Sequence, residues 1–448
     1  MSTPTSEMES NTARSSTILD EKLQTVDVKF QQVTTQEVDV EELLPVEFPE
    51  GGWKAWGTIA GAFLVQFTSF GYIASFGVYQ DYYVREYLSN FSTSDIGWIG
   101  GVQVCLNFAP GIIAGRLFDR GYFYYLMTAS ILLYSIALFM LSISHQGSYY
   151  QVFLTNGVAL GLACGLTYSS SLAIPGHYFK RKRAFAVGIV SSGSAVGAVI
   201  HPIMLNRLIN GSIGFHNAVR ISAAMNVSLL LVAVSLMRTR LPPKEKSSTF
   251  PVRTWLRQPA YLLLVLSALP CFLGLFYGPF YIQLNAVTHG VPKHLAFYSV
   301  SVLNAGSIFG RILPGALSHK FGSFNMATFF TIGAGIIILA MIAVHNFVGT
   351  VLFGVFFGLF SGACIALTPA MFAQMADHPN EIGTRLGIYF GLGGFIGLFA
   401  NPILGALLTG QYHWAKPIIF SGVTMILTGI TYGVSRHFVA KKLGTHKV

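Results

Sequence analysis

Arg311 lies seven residues after Asn304 in the apolar run "SVSVLNAGSIFGRILPG", which carries no other charge. A guanidinium in hydrocarbon costs about 3 kcal/mol or more unless it faces a wet cavity or a partner. Its planar fork matches a carboxylate, so a small organic anion is the ligand it suits best. The bland alternative is a helix-end cation whose stem snorkels to the lipid headgroups. His201, in "AVIHPIM", is the one imidazole at depth in such a run. It could carry a proton, or its ring could bond the backbone where Pro202 interrupts the helix. Asp119 and Arg120, in "GRLFDRGYF", end another apolar run, where a carboxylate can cap a helix start or accept from an arginine.

The remaining chemistry is sparse. Beyond residue 50 there are seven acids, and none of them sits deep in an apolar run, so a carboxylate proton relay is not expected. Cys105, Cys164, Cys271 and Cys364 all fall inside apolar runs without a C-x-x-C pair. They read as small packing residues, with neither a disulfide framework nor a zinc site indicated. G-x-S-x-G, H-E-x-x-H and the phosphate-cradling P-loop are all missing, which argues against an enzyme and against drive by ATP; no cofactor or metal is expected. Tyr72 and Asn304 are among the polar side chains that could line a path or, equally, hold helices together.

Composition supplies the frame for these residues. Of the 448 residues, 52% are hydrophobic and 10% charged, against about a quarter charged in a soluble chain. Residues 1–50 hold eleven of the eighteen acids and only three basic residues, which leaves seven acids against 25 Lys and Arg in the rest. Cations scattered between long apolar runs fit membrane topology and not a nucleic-acid partner; the expected surroundings are a lipid bilayer. From Trp53 onward, twelve runs of about twenty residues are long enough to cross it, the first over 55–79 and the last over 415–435. The breaks place eighteen cations on one side, among them Lys180 to Arg183, and five on the other. The positive-inside bias then puts both termini in the cytosol. The predicted layout is an acidic disordered tail 1–50, six helices in 51–237, a linker 238–259, six helices in 260–435 and a basic tail 436–448. Asn90-Phe-Ser and Asn210-Gly-Ser are weak glycosylation sequons in predicted outer loops.

The two sets of six echo each other at an offset of 200 residues. Gly193, Gly197 and Pro202 recur as Gly393, Gly397 and Pro402, His201 is mirrored by Asn401, and "LACGL" from Leu162 by "GACIA" from Gly362. Small residues four apart form a close helix seam in membranes, so the spacing predicts this seam once in each half. Two related halves point to an all-α membrane protein of twelve transmembrane helices in two pseudo-symmetric six-helix bundles, more like a carrier than a channel or receptor.

"GRLFDRGYF" resembles the G-x-L-x-D-R-x-G signature of the major facilitator superfamily, with "GALSHKFG" from Gly315 as its degenerate second copy. "EGGWKAWGTIAGAF" from Glu50 and "YFKRKRAFAVGIVSSGSAVG" from Tyr178 are similar to the segments that lead into the first and fifth spans of the monocarboxylate porters. With "NAGSIFGRILPG" from Asn304, the likeness runs from about Glu50 to the last span and favours the fungal branch. It implies alternating access, gating by Asp119 and Arg120, and substrate contact by Arg311; Asn304, Ser307 and Tyr72 are further candidate substrate-binding residues. It also shows departures: the Asp that animal members carry one turn before that Arg is Ser307 here, and their first-span Lys is Ala74. The expected function is secondary active or facilitative transport of a small organic anion in the plasma membrane. The alternatives are a carrier or exporter of a neutral metabolite and, outside transport, a nutrient sensor on the same scaffold.

Overall fold

The structure is a computed structural model that describes residues 48–241, 250–408 and 413–448. Among the described residues, twelve helices are long and apolar enough to cross a membrane. They are α1 (Trp53–Tyr87), α2 (Thr93–Asp119), α3 (Phe123–Leu141), α4 (Tyr149–His177), α5 (Arg183–Ile209) and α6 (Gly214–Leu236), then α7 (Pro259–Thr288), α8 (Lys293–Phe321), α9 (Ser323–Ala343), α10 (Phe347–Met375), α11 (Pro379–Leu408) and α12 (Ala415–Leu443). The described residues hold no strand. The predicted tail 1–50 lies outside the described residues except for Phe48, Pro49 and Glu50, and the linker is described only at its two ends.

Two boundaries differ from the sequence reading, for physical reasons. Helix α1 continues eight residues past 79, although Gln80, Asp81, Arg85 and Glu86 end the apolar run. Tyr79, Tyr83 and Tyr87, spaced one turn apart, stay buried and pack on Phe215 of α6. The polar residues take the other face, where Arg85 pairs with Asp81 one turn earlier at 2.7 Å. Helix α12 likewise absorbs most of the predicted basic tail, ending at Leu443, because Arg436 is held by Asn325 Oδ1 at 2.8 Å and by the His446 carbonyl at 3.0 Å.

The predicted double seam is built unequally. Gly193 and Gly197 of α5 face the Phe63 and Phe67 carbonyls of α1, so any Cβ there would collide with backbone. Gly393 meets only the Phe272 ring of α7, and Gly397 has ordinary clearance from Phe272 and Phe276. The polar echo is closer: His201 Nε2 donates to the Phe67 carbonyl at 3.2 Å beside the break of α1 at Ser69, while Tyr281 donates to Asn401 Oδ1 at 3.1 Å. In each half, residue 201 or 401 braces the fifth helix to the first.

The loop with Lys180 to Arg183 marks a basic face, and the segment before α1 is bonded to it. Glu50 accepts from the Lys180, Arg181 and Lys182 amides at 2.7, 2.5 and 3.0 Å, and its own amide donates to the Tyr178 carbonyl at 3.1 Å. This fixes the segment before α1 to the loop before α5, a role the sequence did not disclose for the acid of "EGGW". Its partial burial would raise the carboxyl's pKa, but the three amides and the Lys182 charge outweigh that and hold it below its ordinary value. A lowered carboxyl stabilises the fold above the unfolded value and loses that contribution as pH falls through the folded one. Glu50→Gln is therefore expected to lower thermal stability slightly at neutral pH, the difference from wild type shrinking as pH falls below the ordinary carboxyl value of about 4.3 and vanishing once the latch itself is protonated; a melting series across pH checks this.

Candidate functional site

Between the halves lies a partly open cavity with a volume of about 50 Å³. Its lining is almost wholly apolar and rich in rings, with Phe70, Phe108 and Tyr168 from the first half and Phe272, Tyr389 and Phe390 from the second. The rings interlock across the halves: Phe108 meets Phe272 edge-on at 5.1 Å and stacks on Phe390 at 5.7 Å. Arg311 is the one charged residue in that lining.

The sequence placed Arg311 in the membrane, and the structure shows what holds it. Nε donates to Ser307 Oγ one turn earlier on α8 at 3.1 Å. Nη1 reaches across to α5 and donates to both the Ser191 carbonyl and Ser194 Oγ. Among the described residues Nη2 has no protein partner and no carboxylate lies within ion-pair distance of Arg311. Helices α5 and α8 approach this closely because Gly188 sits on the Arg311 carbonyl, where a Cβ would clash. The guanidinium is thus a clasp between the halves whose remaining nitrogen is left for the cavity.

Of the other predicted binding residues, Ser307 is brought to Arg311 as an acceptor. Asn304 is half-buried and donates to the Val300 carbonyl on its own helix at 2.9 Å. Tyr72 is not brought to the cavity: it is buried in the first half, bonded to Tyr79 at 2.6 Å and edge-on to His201 at 5.1 Å. His201 shares that cluster and is fully enclosed, so the geometry gives it a bracing position away from the cavity lining. Asn90 and Asn210 are both exposed, and Asn210 is engaged with Asn206 and Arg85.

Below the cavity, the basic face is shut. Asp119 at the end of α2 is buried and accepts from the Gly383 amide at 3.1 Å and from the Thr384 amide and hydroxyl at 2.6 Å each. It caps the first turn of α11 from the opposite half, where orphan amides and the helix dipole both favour an anion. Gly115 and Gly383 make room for the contact: a Cβ on either would strike the other's carbonyl. Arg183 adds a second link from α5 by donating to the Ala373 carbonyl of α10 at 2.9 Å. Arg120 is exposed and lies over Phe250 of the linker at 5.9 Å.

Arg385, one of the eighteen cations counted on the basic side, is a residue for which the sequence suggested no further role. It has no exposed side-chain area, pairs with Glu381 at 3.0 Å and stacks on Trp255 at 4.4 Å and Tyr261 at 5.3 Å. Trp255 belongs to a short linker helix, Val252–Leu256, which is therefore fastened to the start of α11 beside the Asp119 cap. The available signal was the Glu381–Arg385 spacing of one helical turn.

Twelve spans among the described residues in two echoing halves, a cavity between them and close cross-half contacts at one face are the layout of a membrane carrier. The sequence profile of the Major Facilitator Superfamily matches residues 58–354, and the chain belongs to that superfamily. It is 38% identical over 383 residues to the aspyridones efflux protein apdF of Emericella nidulans, covering 86% of this chain and 78% of that one. It is 35% identical over 376 residues to the agnestins efflux protein AgnL12 of Paecilomyces divaricatus, covering 83% and 85%, and 35% identical over 399 residues to MFS-type transporter 1 of an Ophiocordyceps species, covering 88% and 87%. The fold matches the E. coli fucose:proton symporter FucP with a TM-score of 0.66 at 14% identity, covering 85% of this chain and 98% of that one.

Proposed function

We propose that this transporter exports a largely apolar, ring-bearing metabolite by alternating access, working in the plasma membrane with both termini cytosolic. The observation that carries the reading is the cavity lining of stacked phenylalanines and tyrosines with a single cation. Flat apolar solutes gain from burial against such rings, whereas a short monocarboxylate has little apolar surface to present to them. The naming of two relatives as efflux proteins supports the direction, and the basic face with Lys180 to Arg183 supports the orientation. In this reading 51–237 and 260–435 rock as two bodies joined by 238–259. The lead-in segments that resemble the monocarboxylate porters, at Glu50 and Tyr178, serve as scaffold and do not read the substrate.

Proteoliposomes presented with a panel of short monocarboxylates, neutral metabolites and multi-ring metabolites test this. Saturable transport should be confined to the multi-ring compounds, and short monocarboxylates should not compete at equal concentration. Saturable lactate or pyruvate transport that the multi-ring compounds leave untouched would return the small-anion reading. Absence of transport for the whole panel, with a binding signal for one member, would favour a sensor.

A further inference from the structure

The latch at Glu50 also gathers cations. Because its carboxylate takes the Lys180, Arg181 and Lys182 amides, the first residues of α1 are fixed beside the loop that leads into α5. Trp56 closes the joint by packing its ring on Phe179 at 5.2 Å and on Phe185 at 6.4 Å. Lys54 from one segment and Lys180, Arg181 and Lys182 from the other are all exposed. Among the described residues none of these four is in an ion pair, and Glu50 spends its charge on backbone amides. Four cations clustered around one carboxylate leave a positive field that an anionic partner would neutralise.

Beside them stands Trp53, 88% exposed. It is the first residue of α1 and Arg183 is the first of α5, so the indole and the cations share the level at which two spans enter the bilayer. An indole at such a boundary lies among the lipid headgroups, its apolar body against the chains and its N–H toward water. A soluble anion would answer the cations and leave that ring in water, whereas a lipid answers both.

We propose that the start of α1 and the loop between α4 and α5 form a binding site for an anionic phospholipid. Its phosphate lies among Lys54, Lys180, Arg181 and Lys182, and its glycerol and upper chain region lie against Trp53. Clusters of about four or more cations next to a span favour anionic over zwitterionic headgroups. The Glu50 latch brings this cluster together from two segments more than a hundred residues apart, so the site is a product of the fold and not of the Lys180 to Arg183 run alone.

The experiment uses the full chain in phosphatidylcholine nanodiscs that contain, at equal mole fraction, either brominated phosphatidylserine or brominated phosphatidylcholine. Bromine quenches only an indole it touches, and the Trp53 share of the fluorescence is the difference between wild type and Trp53→Phe, a substitution at an exposed ring that removes no buried contact. That share should be quenched about threefold more strongly by the brominated phosphatidylserine. In Lys180→Gln/Arg181→Gln/Lys182→Gln, shown to be folded by its melting curve, the two lipids should quench equally. Equal quenching in wild type would overturn the proposal, as would a preference that survives the triple substitution. So would inorganic phosphate that removes the preference where chloride at matched ionic strength does not, because the site would then hold a free anion. None of these outcomes depends on which solute the transporter carries or in which direction.

Discussion

Alanine at position 119 is expected to release the basic face: amide exchange at Gly383 and Thr384 should accelerate at least tenfold, and export should fall in parallel. Asp119 supplies three hydrogen bonds to the first turn of α11 from the opposite half. Hydrogen bonds to a charged group contribute about 1.5–3 kcal/mol each, and each 1.4 kcal/mol is a factor of about ten in an equilibrium constant. Losing even one such bond from the closed state alone therefore produces that shift. Asp119→Asn keeps the shape and one carbonyl acceptor but loses the charge that the helix start favours, so it should fall between wild type and alanine. Arg120→Ala, which removes only a distant contact with Phe250, should leave exchange at Thr384 within about twofold, since exposed cation–π contacts contribute only about 0.5–1 kcal/mol. Unchanged exchange in Asp119→Ala would show that glycine packing and the Arg183 link hold the gate without the cap.

The parts of this architecture that were legible in the sequence are those set by length and charge. Apolar runs fixed the number of helices because a bilayer demands a minimum span, and the 200-residue echo exposed the two halves. Boundaries failed where a helix outlasts its apolar run: Asp81 and Arg85 look like a loop until Tyr79, Tyr83 and Tyr87 are seen to face Phe215. The site was half legible. Arg311 announced itself by its charge, and Asp119 by a turn motif. Their partners, the Ser191 carbonyl and the Gly383 amide, are backbone groups, which leave no signature in the sequence. Tyr72 misled because a tyrosine in a span looks the same whether it faces a cavity or the middle of one bundle. Arg385 was not legible because Trp255, which covers it, arrives from a linker more than a hundred residues away.

The Arg311 series separates the two duties that geometry assigns to one side chain. Arg311→Gln should lower kcat/KM for the transported substrate at least tenfold and also loosen the α5–α8 seam, because Ser194 and Ser307 both lose their donor. Ser194 keeps its own bond to the Ser191 carbonyl at 3.0 Å, whereas the Ser307 hydroxyl left unpaired in the buried seam costs about 1–3 kcal/mol. Arg311→Lys keeps the charge but cannot span Ser307 on its own helix and Ser191 with Ser194 on the other, so it should recover part of the ligand affinity and little of the closure. Ser194→Ala removes one acceptor while leaving the cation intact. Nη1 keeps the Ser191 carbonyl, and the guanidinium becomes easier to turn toward the cavity, so this variant should lower KM and lower kcat together if ligand and seam compete for the same group. A Ser194→Ala protein with unaltered KM would separate the clasp from the binding site, and an Arg311→Gln protein exporting at the wild-type rate would remove Arg311 from both.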